Sequence, residues 1–186
     1  VSRVTAQVIK STGGAAGVSA GQVGKLATSI SNMTGVDDEA IQGGQNLLLT
    51  FTNLRNGVGQ GNQIFDQATQ TMVDMSAALG QDTKSSAIQL GKALNDPIRG
   101  VTALRRVGVS FTASQQDQIK ALVKSGRTMD AQKLILAELG KEFGGTARAA
   151  SDPAQRAQVA WGNFKETIGT AFLPIIDQVT SVFTDK

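Results

Sequence analysis

Apolar residues along this chain recur three and four positions apart, the spacing that lines one face of an α-helix. Alternation with the period of two that a half-buried strand needs is weak and confined to Val4, Ala6 and Val8. From Ser19 onward, Val23, Leu26, Ala27, Ile30 and Met33 predict a helix, and Gly35 stands where a left-handed closing residue is needed. Asp37 is placed to cap a second helix, with Asp38 and Glu39 at the positive end of its dipole and Val36 and Ile41 at hydrophobic-staple spacing. Its apolar face, Ile41, Leu48, Phe51 and Leu54, predicts an end near Leu54, and Gly43-Gly44 weakens the interior by roughly 1 kcal/mol per glycine relative to alanine. The glycine-rich run 56–61 is a break. A third helix follows from Gln63, with Ile64, Phe65, Ala68, Met72, Met75 and Leu79 on one side and Gly80 as its stop. Met72 and Met75 lie on that stripe and read as core, not as an adaptable binding surface.

Asp82 caps a fourth helix that runs through Ile88, Leu90 and Leu94. Asp96 with Pro97 at the first helical position starts another, continued by Val101, Leu104 and Val107 and closed by Gly108. Thr112 to Gln115 has capping-box form ahead of Ile119, Leu122 and Val123. A further helix from Thr128 carries Ala131, Leu134, Ile135, Ala137 and Leu139 towards Phe143, where Gly144-Gly145 ends it. The predicted fold class is all-α: six to eight short helices in a compact bundle with a longer kinked C-terminal helix. Residues 1–17 are expected to be an irregular or linker segment, 18–145 a compact multi-helix module, and 146–186 a kinked amphipathic helical segment.

That last segment is interrupted only by Asp152-Pro153 and by Pro174, which would remove one helical hydrogen bond and clash with the carbonyl of Thr170. A broad stripe of Trp161, Phe164, Ile168, Phe172, Ile175, Ile176, Val179, Val182 and Phe183 occupies one side of it. These residues, Val182 excepted, are the candidate interaction site, for helix-face docking or self-association. A membrane-active face is the competing reading, against which Asp177, Gln178 and Thr180 interrupt the run.

Composition removes most chemistry. The chain has no cysteine and no histidine, so disulfides, thiolate metal sites, Cys nucleophiles and Ser-His triads are all excluded. Hydrolysis would need two positioned carboxylates, but Asp37, Asp82 and Asp96 sit at helix starts, where capping explains them. The chain reads as no enzyme, with no metal and no cofactor. A net charge of +3 spread along the chain leaves no strong footprint for nucleic acid, and the Arg105-Arg106 pair reads as a solvated face. Without an initiator methionine, and starting and ending within patterned sequence, the chain is expected to be a segment of a longer protein.

The stretch Gly91-Lys92-Ala93-Leu94-Asn95-Asp96-Pro97, followed by Gly100-Val101-Thr102-Ala103-Leu104-Arg105-Arg106-Val107-Gly108-Val109-Ser110-Phe111-Thr112, resembles a run in phage and prophage tail tape measure proteins. Ala131-Gln132-Lys133-Leu134-Ile135-Leu136 and Phe143-Gly144-Gly145-Thr146-Ala147 resemble the same family, as do Gly35-Val36-Asp37-Asp38-Glu39 and Leu47-Leu48-Leu49-Thr50-Phe51-Thr52-Asn53 upstream. The resemblance implies a structural protein of the virion tail lumen, made in the bacterial host cytoplasm. Several copies of it would template polymerisation of tail tube subunits, set tail length and leave the tube during genome ejection. The implied partners are tail tube protein, tail-tip or baseplate proteins, tail assembly chaperones, other copies of the chain and the host inner membrane during entry, with no specific nucleic acid. A straight helical ruler would show unbroken heptads, whereas this punctuation predicts a folded module.

Overall fold

The structure, a computed structural model, describes residues 3–166. Among these residues it is all-α, with helices α1 (Arg3–Ser11), α2 (Ala20–Thr34), α3 (Asp38–Leu48), α4 (Ile64–Leu79), α5 (Thr83–Asn95), α6 (Pro97–Leu104), α7 (Ala113–Lys124), α8 (Thr128–Phe143) and α9 (Thr146–Ala150). A further helix, α10, starts at residue 153 and reaches 166.

The helix starts follow their caps. Asp37 accepts the N–H of Ala40, Asp82 that of Ser85, and Asp96 that of Arg99, with Pro97 in the first turn. Thr112 and Gln115 close a reciprocal capping box, and Ser19 and Gln22 form a second one that starts α2. Gly35 and Gly80 close α2 and α4 in the left-handed conformation, at φ 71° and 61°.

Two segments differ from the pattern-based expectation. The opening stretch is not irregular throughout, because residues 3–11 form α1. The alternating positions Val4 and Ala6 are exposed, while Thr5 is buried and Val8 and Ile9 pack against the core, so the inward face has helical spacing that the alternation obscures. The second helix stops at Leu48, short of Leu54. Leu49 and Leu54 are nonetheless buried, in a loop whose polar groups find partners elsewhere. Asn53 bonds the side chain and carbonyl of Asn95, and Gln132 donates to the carbonyl of Asn53. The N–H groups of Thr50, Phe51 and Leu54 bond carbonyls three residues back, so the helical ladder passes into tight turns that those tertiary bonds anchor at Asn53.

Helix α4 runs through the centre and buries Ile64, Phe65, Ala68, Met72, Val73 and Met75, against α3, α5, α8 and α9. Full burial of a side chain such as Phe65 or Met72 contributes about 1.5–3 kcal/mol. Met72 and Met75 are core, as the stripe predicts. Helices α3 and α5 approach closely: Thr83 Oγ1 donates to the carbonyl of Ala40 at 2.6 Å, and a Cβ on Gly44 would collide with the Met72 side chain. The Gly43-Gly44 pair that weakens α3 as an isolated helix is what admits its neighbours.

Candidate functional site

Helix α10 is built and placed by polar groups. Asp152 Oδ1 accepts the N–H of Ala154 at 2.8 Å, and Pro153 occupies the first helical position. Arg156 Nη1 donates to the carbonyl of Arg148 at 3.0 Å and to Ser151 Oγ at 3.2 Å, tying the helix to the end of α9. Asn163 Nδ2 donates to Asn32 Oδ1 at 2.8 Å and to Ser31 Oγ at 3.3 Å, which pins the same helix to α2. Gly35 sits beside it; a Cβ there would stand 3.5 Å from the side chains of Gln155 and Arg156.

With that polar side turned inward, Trp161 and Phe164 face outward, 60% and 51% exposed. Their rings stack with centroids 5.5 Å apart and planes at 28°. The two stacked aromatics form a small exposed apolar patch. Of the candidate interaction residues, the structure brings Trp161 and Phe164 together; Ile168, Phe172, Ile175, Ile176, Val179 and Phe183 lie outside the described residues, as does Pro174.

Beside this helix, the carboxylates of Asp37, Asp38 and Glu39 stand within 4.8 Å of one another, across a cavity of about 200 Å³ from Glu166. Asp37, then Asp38, hold the Glu39 carboxyl above its usual range, with smaller contributions from burial and from Glu166. Asp37 is already engaged as a cap.

A larger groove of about 490 Å³ runs between α2, α4, α8 and α9, with Asp74 at its floor and Lys133 and Arg148 at its edges. Asp74 is 4% exposed, and its carboxylate accepts the backbone N–H of Ala147 at 3.1 Å and the Gln70 amide at 3.3 Å. A carboxylate in the middle of a helical stripe gives no local sign of that long-range cap. Gln132, fully buried and bonded to the carbonyls of Asn53 and Leu94, is equally silent in sequence. The Arg105-Arg106 pair is exposed on a 3₁₀ turn, as a solvated face should be. Among the described residues, no helix is long and apolar enough to cross a membrane.

The model of a protein family, described as prophage tail length tape measure protein, matches residues 2–120. The chain belongs to the prophage tail length tape measure family. The match covers α1 through most of α7, the part of the tape measure module that contains the α3–α4–α5 core. It includes four of the runs that resemble this family, 35–39, 47–53, 91–97 and 100–112, and ends before the 131–136 and 143–147 runs. No curated protein and no solved structure matches the chain. Membership makes it a component of a phage tail and a determinant of tail length.

Proposed function

We propose that this chain is a folded, all-α module of the tape measure, a scaffold in the tail lumen around which tube subunits assemble, released when the genome is delivered. The observation that carries the proposal is the combination of family membership with an outward-facing aromatic pair on a helix pinned to the module by its opposite, polar side. A scaffold must be gripped by its tube without being locked into it. A small aromatic patch suits that, because Trp and Phe supply contact area at low conformational-entropy cost, and stacked rings are already ordered. The partners on this reading are other copies of the chain and the inner surface of the tube; tail-tip proteins and assembly chaperones meet the same protein before or after the tube closes. Synthesis takes place in the host cytoplasm.

A folded module also changes how residue count converts to length. A continuous helix rises about 1.5 Å per residue, whereas helices that fold back contribute only the width of a small bundle. Deleting the module from the tape measure gene should therefore shorten tails by much less than the helical rise of the deleted residues. Electron micrographs of the deletion phage give the length directly; shortening by the full helical rise would show that the module is unfolded and extended in the tail. Photo-crosslinking from position 161 in assembled tails tests the face itself. Adducts with tube protein or with a second copy are expected, and a position that yields none while an equally exposed polar position of the module does would remove the aromatic face from the scaffold.

A further inference from the structure

We infer that the module carries a phosphate-binding pocket where the loop after α3 meets the start of α8, independent of the scaffold reading above. The pocket encloses about 190 Å³ and is walled by Thr52 and Arg55 on one side and by Thr128, Met129 and Gln132 on the other. Helix α8 starts without a side-chain cap. Among the described residues the N–H groups of Thr128 and Met129 find no backbone acceptor, whereas those of Asp130 and Ala131 both reach the carbonyl of Arg127. Uncapped N–H groups at the positive end of a sixteen-residue helix are an anion site in waiting.

Arg55 adds a full positive charge. Among the described residues its guanidinium makes neither an ion pair nor a hydrogen bond. The one acidic group of the same helical turn, Asp130, does not line the pocket and is held by Arg127 at 2.8 Å and Lys133 at 3.5 Å. No like charge therefore opposes an anion there.

Gln132 narrows the ligand. It is 1% exposed, and its amide nitrogen donates to the carbonyls of Asn53 and Leu94 at 2.9 and 3.0 Å. Those two bonds orient the amide and leave Oε1 accepting nothing among the described residues, in a pocket that Arg55 and Thr128 also line. The complement is an oxyanion that also carries a proton to give. Inorganic phosphate, which keeps a proton at neutral pH, meets that description; a phosphomonoester end, with a second pKa of about 6, meets it in its singly protonated form, while sulfate and an internucleotide phosphodiester do not.

The test is an amide-resonance titration of the 186-residue chain with inorganic phosphate, sulfate, dimethyl phosphate and phenyl phosphate at matched ionic strength. Inorganic phosphate should move the Thr128 and Met129 amides to saturation, and sulfate and dimethyl phosphate should bind about tenfold more weakly, for want of the proton that Gln132 accepts. Arg55→Ala, an exposed position, should weaken phosphate by about tenfold or more, while Arg105→Ala should leave it unchanged. Phenyl phosphate that binds as tightly as phosphate below its second pKa of about 6, where it carries the proton, identifies a monoester end as the source; its exclusion there identifies the free ion. Shifts no larger than those given by sodium chloride, equal affinity for sulfate or the diester, or an Arg55→Ala variant with undiminished affinity each overturns the assignment.

Discussion

Asp74, in the middle of α4, caps a helix far along the chain: its carboxylate accepts the N–H of Ala147, the second residue of α9, at 3.1 Å. Gly145 occupies the N-cap position of α9 and has no side chain to serve that purpose, so the central helix supplies it from outside. Asp74→Ala should destabilise the module by about 1.5–3 kcal/mol, because a charge-assisted bond is lost and a buried donor is left alone. Asp74→Asn keeps an accepting oxygen and should lose less. Hydrogen exchange at Ala147 is the specific readout, and unchanged protection of that amide in Asp74→Ala would mean that the cap does not hold α9 in place.

Two buried glutamines should respond to the same substitution with opposite signs. Gln45 is fully buried, and neither its amide nitrogen nor its oxygen has a hydrogen-bond partner among the described residues. Gln45→Met removes two stranded polar atoms at nearly constant volume and should stabilise by about 1 kcal/mol. Gln132→Met deprives the carbonyls of Asn53 and Leu94 of their donor and should destabilise by about 1–3 kcal/mol. Urea denaturation of both variants decides it; a destabilised Gln45→Met would show that the buried amide is in fact bonded.

Glycines within helices divide in the same way. A Cβ on Gly91 of α5 would run into the ring of Phe51, so Gly91→Ala should cost about 1–3 kcal/mol unless the ring swings out. A Cβ on Gly140 of α8 meets nothing within 4 Å, so Gly140→Ala should gain about 0.5–1 kcal/mol from lower backbone entropy in the unfolded chain. Melting curves of the pair give the contrast, and equal shifts in one direction would refute the close packing of Phe51 on α5.

The parts of the fold that were legible are those written locally. Asp37, Asp82, Asp96 and Thr112 cap the helices that their spacing announces, since a cap and its N–H lie within three residues. The loop at 49–63 was not legible, because the run Leu47-Leu48-Leu49 has helical propensity and the bonds that anchor the loop at Asn53 come from Asn95 and Gln132, distant in sequence. In α1 a chance alternation of Val4, Ala6 and Val8 masked a helical face whose buried member is the polar Thr5. Of the residues that sequence periodicity proposes for interaction, Trp161 and Phe164 are exposed side by side. The polar pocket beside Gln132 carries no periodic signal, because its walls come from two separate parts of the chain.

Carboxylates at helix starts and along α8 give stability a pH dependence with two opposed components. The Asp82 carboxyl is held below its ordinary value, first by the Ser85 hydroxyl and then by the Ser85 N–H, and Asp130 and Glu138 are lowered by side-chain bonds to Arg127 and Lys141 respectively. Each favours the fold above the carboxylate's unfolded pKa, and that contribution is lost as pH falls through the lower folded value. Glu39 is shifted the other way by Asp37 and Asp38, so its ionisation opposes folding at neutral pH, and the opposition fades as pH falls through its raised folded value. Glu39→Gln should therefore be more stable than the parent chain at pH 7 in low salt. Its advantage should shrink with added salt and vanish below about pH 4, where the parent Glu39 is protonated in both states. Asp82→Asn keeps a capping oxygen but removes the charge; it should be less stable than the parent at pH 7 and match it once Asp82 is protonated in both states. Urea midpoints at the two ends of that range measure both variants. A Glu39→Gln chain less stable than the parent at neutral pH would mean that the acidic run is held by a compensating cation and does not repel itself.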